Sequence, residues 1–166
     1  MNELGGELVE KLAYVYVLSL LPSIEGRYAV LTGVGLGAPP LASFAAATLG
    51  VATLSALLPS ALPLVDRLAQ RLAVGWEPVA RLARLYLRYV ESARRRASRY
   101  ADTYGALGLV VFVAIPLPAT GVWTGSIAAH VLGLKRGRAR AVLLAGGLLS
   151  NMLALLAAYG LLELLG

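Results

Sequence analysis

Phe112-Val113-Ala114-Ile115-Pro116-Leu117-Pro118-Ala119-Thr120-Gly121-Val122-Trp123-Thr124-Gly125 interrupts an apolar, uncharged segment that runs from residue 103 to residue 134. Its two prolines cannot continue a helix, so the segment must break near its middle. Basic residues flank it on both sides: nine arginines lie between Asp66 and Asp102, and Lys135, Arg136, Arg138 and Arg140 follow it. Because cytoplasmic loops of membrane proteins are rich in Lys and Arg, both clusters lie on one side only if the segment turns back as a re-entrant hairpin.

The composition places the whole chain in a membrane. Hydrophobic residues make up 58% of the 166 positions and charged residues only 14%, whereas soluble domains have about 25% charged residues. The net charge of +6 predicts contact with an anionic membrane surface, and the apolar flanks argue against nucleic-acid binding. The absence of cysteine excludes disulfides, thiolate catalysis and cysteine metal sites. The acidic N-terminus is unlike a signal peptide, so we expect the first apolar block to be retained.

The pattern predicts an all-α integral membrane protein, one domain over residues 1–166, multi-pass in the plasma membrane. We expect two inverted repeats, each a re-entrant helical hairpin followed by a transmembrane helix, joined by an amphipathic arginine-rich linker helix. The hairpin arms have about half of the ~20 residues needed to span a bilayer. The predicted bounds are 12–38 and 41–64 for the first repeat (12–64), 66–102 for the linker, and 104–134 and 141–164 for the second repeat (104–164).

The linker carries arginines on one face and leucines and tyrosines on the others, which is typical of a helix that lies in the membrane interface. An ordinary cytoplasmic helical linker fits equally well, and both alternatives stay open. Either way, the linker 66–102 and the loop 135–140 are predicted to be cytoplasmic. The residues expected to contact lipid headgroups are Arg94, Arg95, Arg96, Lys135 and Arg136.

Glu25 and Arg27 lie in the middle of a segment, 12–65, that is otherwise uncharged. Each charge costs about 2.5 to 3.5 kcal/mol at the bilayer centre, so ionisable residues there are usually functional. Desolvation favours a neutral carboxyl and a nearby guanidinium favours the carboxylate, so Glu25 could load and release a proton. Arg27 could hold an anionic group. The alternative is that the two side chains only pair to fix the first hairpin.

The second hairpin contributes backbone as well as side chains to the predicted site. Prolines free upstream carbonyls, and unwound backbone at membrane depth persists only inside protein or beside a watery cavity. A helix that starts near Thr120 would point its partly positive N-terminus at that cavity. Alternatively, the stretch is a kinked helix with a glycine packing face. With Glu25 and Arg27, the predicted binding residues are Pro116, Pro118, Thr120, Gly121, Trp123, Thr124, Gly125 and Asn151.

Catalytic chemistry finds no support in these residues. His130 is the only histidine, and we interpret it as an interfacial residue. One histidine and peripheral aspartates do not assemble a nucleophile, base and orienting group, so we expect no enzyme activity. No metal-ligand spacing is present, and neither a metal nor a cofactor is expected.

Two motifs resemble a known family. Ser23-Ile24-Glu25-Gly26-Arg27-Tyr28-Ala29-Val30-Leu31-Thr32-Gly33, followed by residues 112–125, is similar to the small multidrug export protein family of prokaryotic membrane proteins, which implies export of small compounds. The resemblance extends over roughly residues 12–164. The layout is also similar to the DedA-type superfamily, which has two inverted re-entrant hairpins and members linked to polyprenyl-phosphate carriers and proton-motive force. By that likeness Glu25 matches the acidic position of the first hairpin. DedA-type second hairpins usually bring arginines near the proline, and residues 116–125 have none.

Three functions follow as hypotheses. The first is a proton-coupled secondary transporter that moves a small or amphiphilic compound, including anionic ones, through a midplane site, with Glu25 carrying the proton. The second is a polyprenyl-phosphate or phospholipid flippase or scramblase that depends on Arg27. The third is a non-transport membrane scaffold. The expected partners are membrane lipid, protons, the substrate and a second copy of the chain in a homodimer. The small-residue faces Gly33/Gly37 and Gly121/Gly125 either form contacts between hairpins within one chain or form the dimer interface between two chains.

Overall fold

The computed structural model describes the backbone of residues 2–22, 24–115 and 120–165, and within these all side chains except 2–4, 89, 90, 92–104 and 165. Pro116 and Pro118, and the side chains of Arg94, Arg95 and Arg96, therefore lie outside the described residues. The described chain is helical throughout, as the sequence predicts, and has no strand. Its helices are α1 (Asn2–Ser19), α2 (Glu25–Gly35), α3 (Pro40–Leu72), α4 (Glu77–Ala114), α5 (Val122–Val131) and α6 (Arg136–Leu165).

Two of these helices, α3 and α6, are long and apolar enough to cross a membrane. Pro40 is favourable at the start of α3, because the N–H groups of the first helical turn have no hydrogen-bond partner within the helix and proline lacks this group. The helix then passes through Pro59 and Pro63 and ends at Leu72, eight residues beyond the predicted 64. Residues 66–72 are mostly strong helix formers, so the helix ends only at the turn before Gly75.

The predicted linker forms the end of α3, a short turn and most of α4. In that turn the amide of Gly75 bonds the carbonyl of Leu72 at 3.1 Å. α4 then begins at Glu77 and continues into the apolar arm 105–114, with one non-helical residue, Gly105 (φ 50°, ψ −151°), at a kink. The linker and the first arm of the second predicted hairpin are therefore joined through a glycine kink, because Gly alone adopts this conformation without a steric penalty.

In both predicted broken blocks the described residues form two separate helices. In the first, α1 ends at Ser19 and α2 begins at Glu25; in the second, α4 ends at Ala114 and α5 begins at Val122. α2 has 11 residues and α5 has 10, so each is about 15 to 17 Å long. Each of these pairs packs against itself and against both α3 and α6, and α3 packs on α6 at the centre.

The core is built from small residues, while large apolar side chains point outward. A methyl group built on Gly147 would meet Cγ1 of Val51 at 2.5 Å, so α3 and α6 are in close contact there. On the outer faces Leu49, Leu57 and Leu156 are more than half exposed. Water would disfavour such a surface, whereas lipid tails accept it. The outward faces of α3 and α6 thus agree with a membrane location.

The glycines that could form a dimer seam are mostly used within the chain. Gly33 lies against Ser43 and Val15, and Gly125 lies against Val113 and Leu143. Gly37 ends the turn after α2 with φ 78° and has only Lys11 Nζ nearby, at 4.0 Å. These contacts explain the glycines without a second copy, and the homodimer remains a prediction.

Candidate functional site

Glu25 joins the two broken segments of the chain. Its carboxylate accepts hydrogen bonds from the backbone amides of Trp123 and Val122, the first residues of α5. A carboxylate is stabilised at a helix N-terminus, where the amides have no helical partner and carry partial positive charge. The side chain of Glu25 thus closes the N-terminal end of a helix almost 100 residues further along the chain.

Two backbone conformations bring this contact about. Glu25 has φ 54°, a left-handed conformation that costs a non-glycine residue about 1 to 2 kcal/mol. Gly121 has φ 135°, and a Cβ atom built on it would overlap the Glu25 carboxylate. Only glycine at this position allows the carboxylate to reach the amides of α5. The surrounding contacts therefore compensate local strain at the point where the two segments meet.

Arg27 makes the complementary connection to the other side of the second break. Its Nη1 donates to the carbonyl of Ile115 at 3.0 Å, and its Nη2 donates to the carbonyl of Thr120 at 2.5 Å. Nη1 also contacts the Thr120 hydroxyl at 3.3 Å. The guanidinium therefore binds carbonyls on both sides of residues 116–119. The Thr120 hydroxyl also donates to the Ile115 carbonyl, at 2.6 Å. Buried carbonyls outside helices need such hydrogen-bond partners.

Glu25 and Arg27 also form an ion pair with each other. Arg27 Nη2 lies 3.7 Å from Glu25 Oε2, and the residues are 5% and 6% exposed. The alternative that the pair only holds the first broken segment together is therefore incomplete, because both side chains also form hydrogen bonds with the second broken segment. A pair this deeply buried is costly to break on one side, since the remaining charge would be left without compensation.

Trp123 makes a third connection, in the opposite direction. Its indole Nε1 donates to the carbonyl of Leu20 at 3.1 Å, just after α1 ends. Each break therefore receives a donor from the other: Arg27 binds carbonyls around the second break, and Trp123 binds a carbonyl at the first. The two motifs that the sequence analysis singled out are in direct contact.

A small cavity lies beside this junction, towards α3 and α6. It is about 10 Å³, room for about one water molecule. Ser150 and Asn151 line it together with Glu25 and Arg27. Asn151 is 1% exposed, and its Nδ2 bonds Thr48 Oγ1 at 3.2 Å. Its Oδ1 and the hydroxyl of Ser150 have no partner among the described residues. Buried acceptors without partners indicate a position for a ligand or an ordered water.

The structure brings together some of the predicted site residues and places others apart. Glu25, Arg27, Gly121 and Asn151 line the cavity, and Thr120 and Trp123 bond the first segment from beside it. The Thr124 hydroxyl bonds its own backbone, at Gly121 O, and Gly125 packs on Val113. α5 begins at Val122, two residues after Thr120, so Thr124 lies in the helix and Thr120 just before it. Ser150, the polar neighbour of Asn151, also lines the cavity. Val51 and Gly147 line it as well, but these residue types carry no chemical signal in the sequence.

A second polar cluster was not predicted. His130 Nε2 lies 2.6 Å from Asp66 Oδ2, and Tyr86 donates to Asp66 Oδ1 at 3.0 Å. Burial, together with the hydrogen bond to Asp66, raises the pKa of Tyr86 to about 12, so the tyrosine stays a hydrogen-bond donor. Asp66 thus joins α3 to α5 and to the linker part of α4. Nothing in the sequence brings positions 66, 86 and 130 together.

Metal binding finds no support in the part of the chain that the structure describes. No group of three or more His, Asp or Glu side chains there could hold a metal ion.

The sequence matches a known protein family. A family model described as "Putative small multi-drug export protein" matches residues 25–153, well over half of the chain. The matched range begins at Glu25 and includes Arg27, the second motif and the Ser150–Asn151 pair. The similarity to the DedA-type layout has no such match and stays a prediction. No curated protein and no solved structure matches the chain.

Proposed function

The chain belongs to the family of small multi-drug export proteins, and on that premise we propose that it is a secondary membrane transporter that couples the movement of a small or amphiphilic compound to protons. The observation that carries this proposal is the buried Glu25–Arg27 pair, which connects two broken helical segments next to a cavity with unsatisfied acceptors. Discontinuous helices that meet near the midplane are typical of secondary transporters.

The lengths of the helices support two re-entrant hairpins. The bilayer core is about 30 Å thick, and α2, α5 and the arm Gly105–Ala114 each cover about half of it. The apolar part of α1, residues 12–19, is equally short. Four half-length arms that meet at Glu25, Arg27 and Trp123 would place these side chains near the membrane midplane.

Equivalent positions support an internal repeat with a register of 96 residues. Gly37 and Gly133 (133 − 37 = 96) both end a short helix with positive φ, 78° and 70°. Gly50 and Gly146 are also 96 apart, and each lies where a neighbouring arm comes close: Ser19 near the first, Val113 near the second. In the same register Arg27 corresponds to Trp123, the two donors that bind the opposite break. A two-fold relation between residues 2–72 and 105–165 would explain all three correspondences.

Protonation of Glu25 would couple proton binding to substrate binding. A neutral carboxyl no longer attracts the Arg27 guanidinium and accepts the amides of α5 more weakly. Both changes loosen the junction between the hairpins and enlarge the cavity. Ser150 Oγ and Asn151 Oδ1 then become available to hydrogen-bond donors of a substrate, and Arg27 becomes available to an anionic group. Proton release would restore the closed junction that the structure shows.

The test is transport in proteoliposomes with an imposed pH gradient. Ethidium, a cationic dye, and carboxyfluorescein, an anionic dye, serve as probes, and proton flux is followed with an internal pH indicator. We expect a pH gradient to drive at least one dye in the native protein. Glu25→Gln keeps the shape of the side chain but removes the proton, so gradient-driven movement should fall at least tenfold.

The matched control is Glu163→Gln, which changes an exposed carboxylate on α6 and should leave transport unchanged. Coupling that persists undiminished in Glu25→Gln would refute the role of Glu25. If neither dye moves in the native protein, but proton flux across the vesicle still requires Glu25, proton handling is supported and the substrate class is narrowed to other compounds.

A further inference from the structure

A second cavity lies at the kink of α4, apart from the Glu25 site. Its volume is about 680 Å³, and it is bounded by Gly105 and Ala106 on α4 and by the loop that joins α5 to α6. Leu132 and Leu134 provide an apolar wall, while Lys135 and Arg138 carry positive charges. The cavity shares no lining residue with the site around Glu25. A pocket of this size can accept a large part of a small molecule or lipid.

This cavity lies at the depth in the membrane where lipid headgroups are expected. α6, a candidate membrane span, begins at Arg136, so Lys135 and Arg138 lie where the chain enters the apolar layer. Basic side chains at that depth attract anionic lipids. Leu132 and Leu134 come before the charges, on the side of apolar α5. An apolar wall next to two basic side chains is complementary to an amphiphile that has an apolar tail and a negatively charged headgroup.

A cavity in the corresponding place of the first repeat has the opposite charge. It measures about 340 Å³ and is lined by Glu7, Glu10, Lys11, Tyr14 and Leu36. Leu36 corresponds to Leu132 and Glu10 to Ala106, each pair 96 residues apart. The cavity of the first repeat is lined by two acidic residues and one lysine. The cavity at the kink of α4 is lined by two basic residues and by no acidic residue among those that the structure describes. Of the two cavities, only the larger one, beside Lys135 and Arg138, therefore has a charge that favours anions.

We propose that the cavity between Gly105 and Arg138 binds an anionic phospholipid, with its phosphate at Lys135 and Arg138 and its acyl chains against Leu132 and Leu134. The recognising chemistry is that of a phosphate ester, and the apolar wall selects a lipid over free phosphate. The inference concerns a surface separate from the transport site, and it holds or fails whether or not the chain moves a substrate.

The experiment is lipid binding to the purified full-length chain, measured by native mass spectrometry in a neutral detergent. Phosphatidylglycerol is the anionic probe and phosphatidylcholine the uncharged comparison. We expect phosphatidylglycerol to bind more tightly. Lys135→Gln with Arg138→Gln should weaken its binding roughly 30-fold, since each basic contact contributes about fivefold. Phosphatidylcholine binding should change little.

Two further variants separate this site from general charge and from misfolding. Arg67→Gln with Arg71→Gln removes two exposed charges elsewhere, on α3, and should leave binding within about threefold. Ala106→Trp fills the cavity without altering charge and should also displace the lipid. Circular dichroism of each variant should show the same helix content as the native protein.

Three results would overturn the proposal. One is equal loss of binding in the Arg67/Arg71 variant, which would mean that only net charge matters. Another is unchanged binding in both cavity variants. The third is complete competition by millimolar inorganic phosphate, which would assign the cavity to a free phosphate rather than to a lipid.

Discussion

At the scale of single residues, each break in the chain is completed by a side chain from the other half. Pro116 and Pro118 predict carbonyls without helical partners, and the carbonyls of Ile115 and Thr120 on either side are bonded by Arg27. Trp123 does the same for Leu20. The buried charges of Glu25 and Arg27 are thus explained as structural partners of unwound backbone and, in the proposed transport cycle, as the parts that change with a proton.

The indole hydrogen bond of Trp123 provides a test of this reciprocity. Trp123→Phe keeps most of the apolar contact but leaves the Leu20 carbonyl without its donor. Leaving a buried acceptor unbonded costs about 1 to 3 kcal/mol, so thermal unfolding followed by circular dichroism should occur at a lower temperature. Trp76→Phe is the matched control, because Trp76 is 77% exposed. This variant should have the same unfolding temperature as the native protein. Equal stability of the two variants would contradict the contact.

At the scale of helices, packing depends on glycines where two backbones come close. A Cβ atom on Gly50 would run into the Ser19 side chain, and one on Gly146 would lie 2.6 Å from Val113 Cβ and 2.9 Å from the carbonyl of Val110. α3 and α6 therefore accept their neighbouring arms only with hydrogen at these positions. The two glycines occupy equal places in the proposed repeats, so substitution at either should have a similar effect.

Gly146→Ala and Gly50→Ala test this packing. Crowding should destabilise each variant by about 1 to 3 kcal/mol, measured as a lower midpoint of thermal unfolding in detergent. Gly160→Ala is the control: it lies in α6 with nothing within 4 Å of the added methyl group. There the better helix propensity of Ala should leave stability equal or slightly higher, by up to about 1 kcal/mol. A loss at Gly160 as large as that at Gly146 would refute the steric explanation.

At the scale of the whole molecule, the proposed topology follows from the distribution of charge. The arginine-rich linker and the Lys135–Arg140 loop should share the cytoplasmic face, which requires the second hairpin to return to the side from which it enters. α3 then crosses the membrane once, and its first residues lie on the outer side. In this topology the acidic start of α1, with Glu7 and Glu10, would lie on the outer side as well.

Labelling of single cysteines tests this topology, and the native chain has no cysteine to interfere. Leu41→Cys, Arg88→Cys and Gly137→Cys replace residues that are exposed in the structure. A membrane-impermeant maleimide applied to intact cells should label position 41 only. Positions 88 and 137 should react only after the membrane is permeabilised. Labels at 88 and 137 from opposite faces would mean that the second segment crosses the membrane, and the re-entrant hairpin would be wrong.

Much of the architecture is encoded locally and could be read from the chain. Apolar composition, the spacing of prolines and the position of charges predict an all-helical membrane protein with two broken segments, because these are properties of neighbouring residues. The two unusual motifs also point to Glu25 and Arg27, since charge in lipid is costly wherever it occurs. The end of α3 at Leu72 differs from the predicted bound, because residues 66–72 are mostly helix formers. The kink at Gly105 lies next to the predicted boundary between the linker and the following arm.

Only the tertiary structure decided what those side chains bond. Arg27 and Ile115 are 88 residues apart, and Trp123 and Leu20 are 103 apart, so no local pattern specifies these pairs. The proposed 96-residue register likewise rests on backbone angles and close contacts, not on matching side chains. Local physics sets where a helix breaks, whereas the partner that satisfies the freed backbone is chosen by how the two halves pack together.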